Sequence, residues 1–169
     1  MLCGMAGKIA GYAGDFAFES GAKYPETFNY YVMRFVLTIF GALQAPVVYK
    51  TAIQLRFTQQ AAVFACLLSL FDIAFLVISR FILLDGMLIF FTITTTFFLC
   101  LFINEQEYPF SLEWWFALLM TGISIGLVSS VKWVGFFTMA LVGLYTISDL
   151  WEKFGDLEMP KVGRRSKFF

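Results

Sequence analysis

Residues Ala61 to Ile103 form one nearly continuous apolar run, interrupted by opposite charges at Ser79-Arg80-Phe81-Ile82-Leu83-Leu84-Asp85-Gly86. A single helix through it would be roughly 60 Å long, about twice the hydrocarbon core of a bilayer. The run therefore reads as two membrane spans that meet at a charged turn. That turn holds Arg80 and Asp85 at one membrane face, where ionisable groups often serve function.

The same arithmetic divides the rest of the chain. A first span is expected over Phe28–Tyr49, a second over Phe57–Ser79 and a third over Ile82–Ile103. The apolar stretch after Trp114 is again too long for one span and is broken by Lys132, giving Leu112–Ser130 and Trp133–Leu150. Composition agrees: the 169 residues are 60% hydrophobic and 14% charged, with 22 phenylalanines, beyond what a small soluble core buries. The expected fold class is all-α, a polytopic transmembrane helical bundle of about five spans. Residues 1–27 read as a glycine-rich loop, 28–150 as the membrane core and 151–169 as a polar tail ending Lys161, Arg164, Arg165, Lys167.

Several chemistries are excluded within this chain. There is no histidine, which removes Ser/His and Cys/His catalysis and every His-ligated metal site. Cys3, Cys66 and Cys100 are odd in number, far apart, and without zinc or redox spacing, so they read as small buried hydrophobes. No metal or other cofactor is evident, and the zero net charge carries no signature of nucleic acid.

Within the spans a few residues stand out. Arg34 lies inside the first span, where it either snorkels to headgroups or faces a watery cavity and binds an anion. Asp72 falls near the middle of the second span. An aspartate there costs about 2.5–3.5 kcal/mol on insertion scales, so it should face protein or water, through pairing with another helix or a direct role. Thr92, Thr94, Thr95 and Thr96 read as hydrogen bonds between helices, and Gly7 with Gly11 and Gly122 with Gly126 as packing pairs.

With five spans, alternate connections share a face. Lys50, Arg56, the Asn104–Pro109 turn and the basic tail meet on one side, which the positive-inside tendency makes cytosolic. Arg34, Arg80, Asp85 and Lys132 then converge on the other. Two chemical readings stay open. Arg80 and Asp85 neutralise each other at a turn, or the cations hold a phosphate whose tail lies in lipid.

Three stretches carry a resemblance: FESGAKYPETFNYYVMRF (18–35) followed by FGAL (40–43), SRFILLDGMLIFFT (79–92) and GLVSSVKWVGFFTMALVGLYTISDLWEKFGDL (126–157). In this order they resemble the membrane core of protein O-mannosyltransferases, closest to the fungal type, across most of residues 1–160. The resemblance implies a GT-C-type glycosyltransferase core in the endoplasmic reticulum membrane, multi-pass, with residues 1–27 the end of a lumenal loop and the tail cytosolic. It implies transfer of mannose from dolichyl phosphate mannose to Ser or Thr of secretory polypeptides. Arg34 matches the family's important arginine after the first lumenal loop and Lys132 its Lys-aromatic/Val-Gly motif near the donor phosphate; both are expected to bind that phosphate, with Arg80 and Asp85 shaping the site. A homodimer or a heterodimer with another family member is open.

The resemblance also sets an expectation of loss. The family's catalytic acidic pair is expected upstream of Met1, so no catalytic residue is assigned in this chain. Asp15 and Glu19 lie downstream of that motif and are not promoted to its role. The chain is expected to be a fragment, inactive alone. Two rivals are a non-catalytic membrane partner or truncation product, and a small multi-pass transporter that uses Asp72 and the threonines of the third span.

Overall fold

A computed structural model describes Met5, Lys8 and residues 30–81 and 83–155, with Tyr30, Arg80, Glu107 and Gly155 described at the backbone alone. The glycine-rich segment with Gly7, Gly11, Asp15 and Glu19, and the basic tail from residue 156, lie outside the described residues. The described residues are helical apart from turns, and no strand occurs among them.

The helices are α1 (Tyr30–Gln54), α2 (Gln59–Phe71), α3 (Ile73–Arg80), α4 (Asp85–Asn104), α5 (Leu112–Val131) and α6 (Phe136–Gly155). Short 3₁₀ turns at Glu105–Glu107 and Trp133–Gly135 join α4 to α5 and α5 to α6. Among the described residues, four helical stretches are each long and apolar enough to cross a membrane, and counting the bent α2–α3 pair makes five.

Local chemistry explains most of the ends. Thr58 and Ser111 cap α2 and α5, their hydroxyls accepting from Ala61 N at 3.4 Å and Trp114 N at 3.1 Å. Helix α1 continues through Pro46 to Gln54, beyond the expected stop at Tyr49. It closes where Arg56 takes a left-handed φ of 62°, Arg56 N donating to Ile53 O at 2.9 Å and Phe57 N to Ala52 O at 3.1 Å. Glycine is the usual residue in that C-terminal geometry.

The second span differs from the expectation of one straight helix. It breaks at Asp72 into α2 and α3, which meet at 53°. Asp72 is exposed, and its Oδ1 accepts from Ala74 N at 2.8 Å, capping α3. The carboxylate thus satisfies a backbone donor two residues on, a local bond that competes with continued helix. Of the two readings left open for Asp72, pairing with another helix is not what occurs: its carboxylate is engaged by its own chain at Ala74 N.

Helix α4 is central, packed between α1 and α5. It runs parallel to α1: Gln44 Nε2 donates to Gly86 O at 3.3 Å near its start, and Asn104 Nδ2 donates to Gln54 O and Oε1 at 2.8 Å at its end. Helices α2–α3 and α5 run the opposite way. A buried hydrophobic cluster joins Leu37 of α1, Met87 and Phe91 of α4 and Val128 of α5, flanked by Phe40 and Phe90. Phe40, Phe90 and Phe91 form an aromatic triangle with centroids 5.3, 5.4 and 5.7 Å apart. Offset and edge-on rings of this kind add to the burial of their area.

Two further expectations are corrected. Thr94, Thr95 and Thr96 donate to the carbonyls of Phe90, Phe91 and Thr92 at 2.8–3.0 Å, within α4, instead of bridging helices. A helical threonine finds the carbonyl four residues back without help from a neighbour. Gly122 and Gly126 face open space, whereas Gly41 and Gly135 make the close approaches.

Candidate functional site

The end of the bundle that holds the α3–α4 and α5–α6 connections gathers the sequence-predicted residues. Lys132 Nζ donates to Asp85 Oδ1 at 3.0 Å, joining α4 to the α5–α6 connection across 47 residues of sequence. Both side chains are partly exposed, at 45% and 38%. The pair is therefore open to a ligand, and solvent screening keeps its own contribution to stability small.

Each partner is placed by a different device. Asp85 is the first residue of α4, whose N-terminal cap position, Leu84, offers no side-chain bond. A carboxylate in that first turn is favoured by the helix dipole. Lys132 ends α5 in an extended conformation, with φ −157° and ψ 147°. The turn behind it is pinned by Gly135, whose N donates to Lys132 O at 2.9 Å. Gly135 is buried, and a Cβ there would lie 2.7 Å from the carbonyl carbon of Val128. Any side chain at 135 would push the Lys132 turn off the end of α5.

Helical register sets Arg34 at the same end. Leu37, Met87 and Val128 meet in one core layer. Arg34 precedes Leu37 by three residues, Asp85 precedes Met87 by two, and Lys132 follows Val128 by four, so each lies within roughly one turn of that layer. Arg34 is half-buried. Its carbonyl and that of Ser79 share the Thr38 hydroxyl, at 2.8 and 3.3 Å, so the α3 terminus with Arg80 closes against the N-terminal half of α1. Asp85 and Lys132 are thus in contact, and Arg34 and the Arg80 backbone stand on their side of the bundle.

Beneath this end, α4 and α6 flank a cleft of about 200 Å³ lined by Thr92, Thr95, Thr96, Leu99, Phe137, Thr138, Leu141 and Val142. The hydroxyls of Thr95 and Thr96 are already bonded within α4, so this wall offers mainly methyl groups. Sequence reasoning missed the cleft. The threonines at helical spacing before an exposed aromatic pair, Phe136-Phe137, were its only trace.

The opposite end is tied by polar side chains. Besides the Asn104–Gln54 bonds, Asp149 Oδ2 accepts from Lys153 Nζ at 2.6 Å and from Gln106 Nε2 at 3.4 Å. The Gln106 bond links α6 to the α4–α5 turn, and the Lys153 pair lies within α6. Among the described residues, no three His, Cys, Asp or Glu side chains gather as a metal site.

The family described as dolichyl-phosphate-mannose-protein mannosyltransferase matches residues 1–168. The chain is 41% identical over 158 residues to dolichyl-phosphate-mannose–protein mannosyltransferase 2 of Candida albicans, covering 92% of this chain and 20% of that protein. It is 39% identical over 156 residues to mannosyltransferase 3 of Saccharomyces cerevisiae, covering 92% and 21%. Protein O-mannosyl-transferase 2 of Danio rerio is 38% identical over 163 residues, covering 96% and 21%. The chain spans about a fifth of the length of these relatives.

Proposed function

The chain belongs to the dolichyl-phosphate-mannose–protein mannosyltransferase family, and on that footing we propose that it forms the donor-holding part of a membrane core that mannosylates proteins. In this reading the enzyme takes mannose from dolichyl phosphate mannose in the endoplasmic reticulum membrane and delivers it to Ser or Thr hydroxyls of secretory polypeptides. Lys132 and Arg34 hold the donor phosphate, and Arg80 and Asp85 shape the rim around it. The general base for the acceptor hydroxyl is not assigned to any residue of this chain.

The observation that carries the reading is Lys132 itself. It is a partly exposed cation on a rigidly pinned turn, at the end of the bundle where Arg34 also stands. As the sugar leaves, negative charge grows on the lipid phosphate. A fixed ammonium and a guanidinium fork stabilise that charge where a mobile solvent shell would have to reorganise. The methyl-lined α4–α6 cleft supports the reading, since it offers an apolar path toward the bilayer below the cations.

The test uses the full chain in lipid nanodiscs, with dolichyl phosphate as probe and dolichol as the uncharged control. Lys132→Ala should weaken dolichyl phosphate binding about 10- to 100-fold, the range of a charge-assisted hydrogen bond, and leave dolichol unaffected. Equal binding of the two lipids, or no loss in Lys132→Ala, would refute the assignment.

A further inference from the structure

We propose that Asp85 is a positioning residue for Lys132, holding its ammonium at the rim so that a lipid-linked phosphate meets a cation already in place. The inference rests on the donor-phosphate reading above and assigns the carboxylate a task that reading leaves open.

The two partners are unequal in freedom. Lys132 carries its charge on a flexible four-carbon stem, and a free lysine side chain has considerable rotamer entropy to lose on binding. Asp85 has a short side chain on the first turn of α4. That turn is itself tethered, because buried Gln44 of α1 donates to the carbonyl of Gly86, the next residue. Met87, one residue further, lies in the core layer with Leu37 and Val128. Asp85 is thus the fixed post and Lys132 the arm tied to it.

The tie leaves the arm usable. An ammonium has three donors, and Asp85 Oδ1 accepts one of them at 3.0 Å. With the pair partly exposed, an anion can reach the remaining donors without first breaking the bond. Part of the ordering cost is then met before the ligand arrives, which is how preorganisation raises affinity. The competing role is opposite in sign: a carboxylate that merely fills the anion seat must be displaced, and removing it would tighten binding.

The experiment measures dolichyl phosphate binding by the full chain in nanodiscs, together with thermal unfolding. Asp85→Asn should weaken binding about fivefold, the upper range for an exposed ion pair, and Asp85→Glu should recover it to within about twofold. The double exchange Asp85→Lys with Lys132→Asp keeps an ion pair between α4 and the α5–α6 connection but moves the cation. It should lower the melting temperature only by the modest cost of a cation in the first turn of α4, while binding stays as weak as in Lys132→Ala. Tighter or unchanged binding in Asp85→Asn, or restored binding in the exchange, overturns the proposal. If Asp85→Asn fails to fold, the Glu variant and the exchange decide. A loss in Lys132→Ala beside a silent Asp85→Asn defeats this inference alone, whereas a silent Lys132→Ala defeats the donor-phosphate reading.

Discussion

Lys132 and Asp85 meet at 3.0 Å within about a turn of Val128 and Met87, so a buried hydrophobic cluster of the bundle and this ion pair occupy adjacent turns. The ion pair contributes little to holding that layer together. A double-mutant cycle of Asp85→Ala and Lys132→Ala, read by thermal unfolding in detergent, should give a coupling of about 0.2–1 kcal/mol that shrinks with added salt. A coupling above about 3 kcal/mol would identify a desolvated structural bridge instead.

Gly135 tolerates no side chain. With Val128 carbonyl carbon 2.7 Å and Ser129 N 3.1 Å from where a Cβ would stand, backbone must move. Gly135→Ala should destabilise by about 1–3 kcal/mol, the usual cost of overpacking. It should also weaken dolichyl phosphate binding, because the displaced turn carries Lys132. Unchanged melting and binding in Gly135→Ala would show that the turn opens freely.

Asp72 offers a way to separate a cap from a charge. Asparagine caps a helix about as well as aspartate, and alanine costs about 1 kcal/mol. Asp72→Asn should therefore melt like the unaltered chain and Asp72→Ala should melt lower. Equal losses in the two variants would point to ionic pairing of Asp72 and against the cap seen at Ala74 N.

Arg56 occupies a backbone conformation that disfavours every residue with a Cβ, at φ 62°. Arg56→Gly should stabilise the α1 terminus by about 0.5–1 kcal/mol, visible as a higher melting temperature. A lower one would mean that the arginine side chain contributes more than its strained backbone costs.

The helical spans were readable because a bilayer imposes length, and charges within apolar runs mark where a span must end. That logic located the turns at Asp85 and Lys132, and the alternation of spans put them on one face. It could not show that the fold pairs Lys132 with Asp85, since pairing depends on how α4 and α5 are rotated. Rotation also decides which glycine matters. Gly122 and Gly126 have the familiar spacing yet face open space, while Gly41 sits where a Cβ would come 2.6 Å from Ser79 Cβ. The threonines and Asp72 were misjudged for a common reason. A polar group in an apolar helix suggests a distant partner, as with the threonines, or a pairing among other options, as with Asp72, yet each finds a backbone group a few residues away.

The contact of Thr38 with Ser79 makes the rim of the bundle a terrace instead of a level surface. Helix α1 begins eight residues before Thr38, so it overtops the end of α3 by roughly 12 Å. The headgroup zone on each side of a bilayer is only about 5–7 Å deep. Tyr31 and Phe35, exposed at 66% and 68%, stand on this taller step with Arg34 between them. The step is taller than that zone is deep, so α1 and the end of α3 cannot both finish at the same level of a headgroup layer.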